Sequence, residues 1–439
     1  MTIGPFASRL LSPLVSDPDV NMHLTDSAAI VAMVEVEAAL ARAQGRLGII
    51  PQAAALRIAS ALEDFAADYT AIGAQSAVSG LPTIELVAQL RRHVGGDAAN
   101  YVHWGATSQD IIDTSFILQS RAVLACADRR LASLVGKLRA LAQEYRATPM
   151  AGRTRSQQAV PISFGLKVAH WAQPLIRHRA RLAEMRKRVL RVQFGGAAGN
   201  LSALGSNGIA VADALAEELN LAPAAASFHA ARDSICELAA WLALVTGSLG
   251  KIGHDVALMT MSEVGELADR AGGSSSTLPQ KSNPIAAETL MTLATHTAAQ
   301  LAGMMQAAPQ EHERGGAGWT AEWMLLPPML AAVGGALRTA NEMLDRLIVR
   351  PERMRANLDA SHGLLLSEAA SFALSAHMGR AEAQALVKKA CHDALDSGVH
   401  LIDILKGRTE SSVDWEALRD PANNLHADGG LIDRIFKDA

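Results

Sequence analysis

Three short polar segments, far apart along the chain, concentrate the residue types that chemistry on an anionic substrate needs. They are Tyr101-Val102-His103-Trp104-Gly105-Ala106-Thr107-Ser108-Gln109-Asp110, Gly152-Arg153-Thr154-Arg155-Ser156-Gln157-Gln158-Ala159-Val160-Pro161, and Gly272-Gly273-Ser274-Ser275-Ser276-Thr277-Leu278-Pro279-Gln280-Lys281-Ser282-Asn283-Pro284. The third is glycine-rich at one end, hydroxyl-rich in the middle and cationic near the other, which predicts a mobile loop between two helices. Asn283 followed by Pro284 suits an N-cap and first helical position. Lys281 and the free N–H groups of the next helix would then converge on a bound anion. Each segment also has a plain reading: the third as a solvated connection with an ordinary cap, Thr107-Ser108 as the cap of the following helix, His103 as a structural histidine.

The elements that must position these segments read as helices. Proline removes a donor and clashes inside a helix, and none falls between Pro82 and Pro149, between Pro223 and Pro279, or between Pro351 and Pro421. In the first interval Ile117, Leu124, Leu131 and Leu138 recur at heptad spacing, with Ala127, Leu134 and Leu141 between them. In the second, Ile235, Leu238, Leu242, Val245, Leu249, Ile252, Val256 and Met259 alternate steps of three and four, and Glu263 takes the next place. A third stripe runs through Val168, Leu175, Leu182 and Val189 with Trp171, His178, Met185 and Val192. Pro174 is expected to kink or interrupt its first turns. Long alternating apolar-polar runs are missing, so an all-α fold is predicted, with breaks near Gly95-Gly96 and Arg350-Pro351.

The composition narrows the partners. Of 439 residues 49% are hydrophobic and 4% aromatic, and 40 basic side chains face 44 acidic ones for a formal charge of −4. That apolar share supports a sizeable core and excludes a disordered chain or a disulfide scaffold. With no Lys/Arg run, nucleic acid and anionic membrane are not expected partners, whereas small anions are. Cys126, Cys236 and Cys391 are odd in number and widely spaced, which fits a reducing, cytoplasmic setting and neither a disulfide framework nor a zinc cluster. The start, Met1-Thr2-Ile3-Gly4-Pro5, lacks a basic region followed by an apolar run, so export and membrane insertion are not expected.

Taken together and in this order, the three segments resemble the fumarase/aspartase superfamily, whose members eliminate or add a group beside a carboxylate. The third matches its signature loop, with Leu278 in place of a methionine. The run from Tyr101 to Thr114, the Gln193-Phe194-Gly195-Gly196-Ala197-Ala198-Gly199 segment and His312-Glu313-Arg314-Gly315 through Trp323 are similar, more closely, to the carboxymuconate cycloisomerase branch. The likeness extends from Val36-Glu37-Ala38-Ala39-Leu40-Ala41 to Gly379-Arg380.

The resemblance implies a three-part, elongated all-α subunit: an N-terminal helical domain over 1–100, a central long-helix domain over 101–350 carrying the loop at 272–284, and a C-terminal helical domain over 351–439. The central helices would join those of three further copies in a homotetrameric bundle, with each active site shared among three subunits. Three apolar stripes of this length are more readily buried by such an oligomer than by one modest bundle.

The implied roles follow residue by residue. Ser275, four places before Pro279, would act on the carbon-bound proton. A free serine is too weak a base, so closure over substrate, Lys281 and backbone N–H groups would stabilise its alkoxide and the enolate-like charge on the substrate. Thr107, Ser108, Thr154, Gln157, Lys281 and Asn283 would bind carboxylates, and His103 would join them. Most lyases have histidine after the threonine of the second segment, paired with a glutamate. Here the positions hold Arg155 and Glu288, which should be adjacent across a subunit boundary. Arginine, with a pKa above about 12, cannot shuttle protons near neutral pH. Lactonisation needs no such acid, because the attacking or leaving group is already a carboxylate.

The implied reaction is a cofactor-independent and metal-independent interconversion of 3-carboxy-cis,cis-muconate and 4-carboxymuconolactone in protocatechuate breakdown, on a small polycarboxylate. The alternatives are a 3-sulfomuconate cycloisomerase, a fumarate-releasing lyase acting on a substituted succinate, and a non-catalytic scaffold. Adenylosuccinate lyases carry a Ser-rich phosphate site where this chain reads Glu313-Arg314-Gly315-Gly316-Ala317-Gly318-Trp319, which would serve a nucleotide poorly. Trp319 and Trp323 read as core or interface residues.

Overall fold

The computed structural model describes residues 4–274, 277–278 and 281–437. The all-α expectation holds: helices dominate, and the strands are short. The elements that bear on the site are α1 (Asp26–Arg46), α2 (Thr83–Val94), α3 (Ser108–Glu144), α4 (Phe164–Val189), α5 (Asp233–Met259), α6 (Ile285–Ala307) and α7 (Ala317–Arg346). Internal packing divides the chain into two compact units: Met1–Arg130 with His178–Gly247 and Leu293–Arg338, and Leu131–Arg177 with Ser248–Thr292 and Thr339–Ala439. Helices α3 to α7 each contribute residues to both.

The periodic stripes became the interior of these helices. In α3, Ile117, Leu124, Ala127, Leu131, Leu134 and Leu138 are buried, and Leu141 is half-buried near the end. All eight stripe residues of α5 are buried, and the helix stops at Met259, leaving Glu263 outside it. Among the described residues α5 is also long and apolar enough to cross a membrane, but its apolar stripe packs inside the protein. One inference from the stripes is corrected: a single chain already buries them, so they do not themselves require an oligomer. What remains exposed is a different set on α5 to α7, including Leu244, Leu258, Met305 and Met324.

Proline was a one-way guide. The proline-free intervals do hold long helices, yet α4 runs through Pro174 and α7 through Pro327-Pro328. An interior proline costs about 3 kcal/mol or more. In α4 the burial of Val168, Trp171, Leu175, His178, Leu182, Met185 and Val189 on both sides of Pro174 offsets it.

Among the described residues, three antiparallel strand pairs interrupt the helices. Strands β1 (Pro149–Thr154) and β2 (Gln157–Ser163) form a hairpin, β3 (Leu267–Asp269) pairs with β6 (Leu347–Val349), and β4 (Gly273–Ser274) pairs with β5 (Ser282–Asn283). The β1–β2 hairpin turns on Arg155-Ser156, both at positive φ (49° and 64°), the geometry of a two-residue type I′ turn. In the β4–β5 pair, Gly273 lies opposite Asn283. A Cβ on Gly272 would collide with the Ser282 hydroxyl, so any larger residue there would force that side chain to turn away. Helix α6 starts at Ile285, one residue later than expected: Asn283 belongs to β5, and the Pro284 carbonyl accepts from Glu288 N–H at 3.0 Å. Beyond β6 the C-terminal helices have a core cluster of their own, including Leu374, Ala390, Leu401, Leu405 and Trp415.

Candidate active site

In the first unit, the 101–110 segment is tied down from several sides. Asp110, in the first turn of α3, is 1% exposed and accepts from Gly195 N–H and Gly196 N–H at 2.9 Å each and from Thr107 N–H at 3.0 Å. It also accepts from Gln193 Nε2 at 3.1 Å and His229 Nε2 at 2.8 Å. A Cβ on Gly195 would stand 2.6 Å from Ser227, which is why this turn is built from glycine. One carboxylate thus joins the start of α3 to the Gln193–Gly196 turn.

Thr107 occupies the capping position of α3, where its backbone carbonyl accepts from Asp110 N–H at 3.0 Å, while its hydroxyl turns elsewhere: Thr107 Oγ1 accepts from Arg314 Nη1 at 2.5 Å. A guanidinium therefore stands at the positive end of a long helix, where an anion is favoured. Ser108 begins α3, and no partner for its side chain is found among the described residues. His103 lies in the same segment at φ 63°, with Nδ1 2.5 Å from Glu37 Oε1. Burial works against charge on this ring. The Glu37 carboxylate, with Asp110 beyond it, more than compensates and raises the pKa above the ordinary histidine value.

One turn along α3, Asp113 accepts from Arg232 Nη1 at 2.7 Å and from Trp319 Nε1 at 2.8 Å, and Arg232 Nε donates to Glu322 at 2.9 Å. Burial opposes the charge on Arg232, but Asp113 and Glu322 hold it protonated, while burial raises the pKa of Glu322. Trp319 is buried in this network and stands edge-on to Trp323 at 4.7 Å, in keeping with a structural role. Asp113, Arg232, Glu322 and Trp323 also line a cavity of about 320 Å³, which contains none of the sequence-predicted site residues.

In the second unit, Thr154, Arg155 and Gln157 sit at the exposed tip of the β1–β2 hairpin. The base of that tip is fixed: Arg153 makes a bidentate pair with the buried Glu266 carboxylate at 2.9 and 2.7 Å, and Asn357 Nδ2 donates to the same carboxylate at 2.9 Å. By contrast, no partner for the side chain of Arg155, Lys281 or Glu288 is found among the described residues, so one chain does not make the Arg155–Glu288 contact. Lys281 is exposed beside β5, and its N–H donates to Leu278 O at 3.0 Å. Ser275 lies outside the described residues.

The expected residues therefore fall into two groups: His103, Thr107 and Ser108 in the first unit, and Thr154, Arg155, Gln157, Lys281, Asn283 and Glu288 in the second. Two features escaped the sequence reading: the hydrogen bond from Arg314 to Thr107 and the Glu37 contact with His103. Both motifs were visible as points of resemblance, but no spacing rule links residues so far apart.

A family model described as lyase matches residues 16–299. A 3-carboxy-cis,cis-muconate cycloisomerase of Bradyrhizobium diazoefficiens is 40% identical over 98% of this chain and 98% of its own length. The chain belongs to the fumarase/aspartase lyase superfamily. Within it, trans-aconitate decarboxylase 1 of Mycosarcoma maydis is 39% identical over 97% of this chain and 88% of its own. The crystal structure of 3-carboxy-cis,cis-muconate lactonizing enzyme from Pseudomonas putida matches with a TM-score of 0.91 at 37% identity, covering 98% of this chain and 99% of that one. The protein is thus an enzyme of a superfamily that acts on small carboxylates, and its two clusters are rich in the donors such ligands require.

Proposed function

We propose that this enzyme interconverts 3-carboxy-cis,cis-muconate and 4-carboxymuconolactone, a step in aromatic acid breakdown. Arg155 carries the reading. A permanent cation, for which no partner is found among the described residues, stands at the hairpin tip beside Thr154 and Gln157. It can bind and orient a carboxylate but cannot protonate a leaving amine or alcohol.

In the lactonising direction, a substrate carboxylate oxygen bonds to an alkene carbon. The alkene electron pair moves to the carbon beside another carboxylate, and the Ser275 hydroxyl delivers a proton there. In reverse, the Ser275 alkoxide takes that proton and the ring carboxylate leaves without needing one. Lys281 stabilises the negative charge in both directions, and Thr107, Ser108, Thr154, Gln157, Asn283 and His103 hold the carboxylates.

The same reading makes the protein a homotetramer of three-part subunits, 1–100, 101–350 and 351–439, with sites drawn from three chains. The exposed Leu244, Leu258, Met305 and Met324 on the long helices suit such an interface. Arg155 and Glu288, without side-chain partners among the described residues, suit a contact made between chains. A second reading is a lyase acting on a substituted succinate or related polycarboxylate whose leaving group needs no proton, and the likeness to a decarboxylase favours it.

Incubation with 3-carboxymuconate, 3-sulfomuconate, trans-aconitate and amino- and nitrosuccinate, with products identified by NMR, separates these readings. Lactone from 3-carboxymuconate is expected. Turnover confined to the succinates or trans-aconitate would replace the cycloisomerase with the lyase.

A further inference from the structure

Glu37 lies mid-way along α1, 2% exposed, and His103 is the partner that the described residues give its carboxylate: Oε1 is 2.5 Å from His103 Nδ1, and Oε2 is buried without one. Two turns along the same helix Gln44, also buried, donates from Nε2 to Trp104 O at 2.7 Å. From α2, Arg91 Nη2 donates to Val102 O at 3.1 Å. Residues 102, 103 and 104 are thus each fastened by one side chain from α1 or α2, and His103 is held at φ 63°, a conformation unfavourable for a non-glycine residue. Packing alone does not call for a carboxylate at this point on α1. A buried carboxylate is costly unless paired, so its presence points to the charge state of its partner.

A carboxylate can only accept, so His103 must donate through Nδ1–H. That leaves Nε2, for which no partner is found among the described residues, to change with protonation. In the imidazolium it is a donor that attracts a carboxylate, and in the neutral ring it is an acceptor that repels one. The charged groups acting on the ring are Glu37 from α1, Asp110 from α3 and Arg91 from α2. The two acids outweigh the base and burial together.

We propose that Glu37 is the positioning residue that keeps His103 an imidazolium, so that its Nε2–H receives a substrate carboxylate beside Thr107 and Arg314. This rests on the placement of His103 in the substrate shell proposed above. Substrate binding then weakens as pH rises through the His103 ionisation, while the chemical step does not.

The test measures two things on the full-length protein and its Glu37→Gln variant. The titration of His103 is followed through its 13Cε1–H NMR signal, identified by its loss in His103→Gln. The kinetics with 3-carboxymuconate are followed across pH. Glu37→Gln should lower the His103 midpoint by about one unit and raise KM about tenfold above that midpoint, with kcat within about twofold and KM recovering at lower pH. A wild-type midpoint at or below the ordinary histidine value, or one unmoved by Glu37→Gln, overturns the proposal even if the variant folds poorly. A shifted midpoint with unchanged KM overturns the link to binding. Wild-type protein inert toward 3-carboxymuconate counts against the proposed reaction instead, and the NMR arm still decides the Glu37 pairing.

Discussion

The 101–110 segment and the two hairpin tips carry the same kinds of residue and are held in opposite ways. Thr107 and His103 are fastened by Arg314, Asp110 and Glu37 from their own chain, with donors and acceptors matched at hydrogen-bond distance. Arg155 in the β1–β2 turn, Lys281 just before β5 and Glu288 in the first turn of α6 are charges for which no intrachain side-chain partner is found among the described residues. The first group has its ordering cost met by folding. The second keeps its hydrogen-bonding capacity for a ligand or another subunit. On the proposed reading, one side of the site is set by folding before substrate arrives, and the other would be completed on assembly.

The comparison breaks most visibly at Ser275. Ser275→Ala should lower kcat by about 10²–10⁴-fold while leaving helical circular dichroism and Tm unchanged, since general acid–base catalysis is worth that much and the residue has no expected part in the core. Full turnover in this variant would remove Ser275 from the mechanism.

The anchored region should break by unfolding instead. Arg232→Met leaves Asp113 and Glu322 as buried uncompensated charges, and a loss of about 3–5 kcal/mol is expected in denaturant unfolding. A change below about 1 kcal/mol would show that the network does not stiffen the start of α3.

At the hairpin tip, Arg155→Ala should raise KM about tenfold with Tm changed by little, because no partner for the side chain is found among the described residues and one exposed pair with Glu288 between chains is worth about 1 kcal/mol or less. Undiminished lactonisation would refute its role as a clamp. Glu288→Ala should reproduce a weaker form of the same defect if the two meet between subunits.

The smallest expected effect is a pH dependence. A histidine whose folded pKa lies above the ordinary value contributes stability that is full below about pH 6.5 and lost as pH rises through the folded value. The stability gap between wild type and His103→Gln should therefore be larger at about pH 6 than at about pH 9. Equal gaps would show that the Glu37 pair does not favour the charged ring.

The long helices were legible because apolar residues at steps of three and four cannot sit on one face in any other way. Helix α7 escaped because Pro327-Pro328 reads as a break, and only the burial of Leu326, Met329 and Leu330 around it shows why the chain tolerates it. The β1–β2 hairpin escaped because its turn residues, Arg155-Ser156, are not the Asn-Gly or Asp-Gly pair that marks such turns. The polar segments themselves stood out by composition. Their support did not: Glu37 reaches His103, and Arg314 reaches Thr107, across distances in sequence that no local periodicity encodes.

Subunit mixing tests the division of the site most directly. Thr107→Ala alters the anchored side and Ser275→Ala the assembling side, and each alone should be nearly inactive. When the two are unfolded together and reassembled, sites drawn from different chains should recover up to about a quarter of wild-type activity, because random association gives that share of sites both intact residues. Mixed tetramers that form yet recover nothing would show that both sides of each site come from one chain.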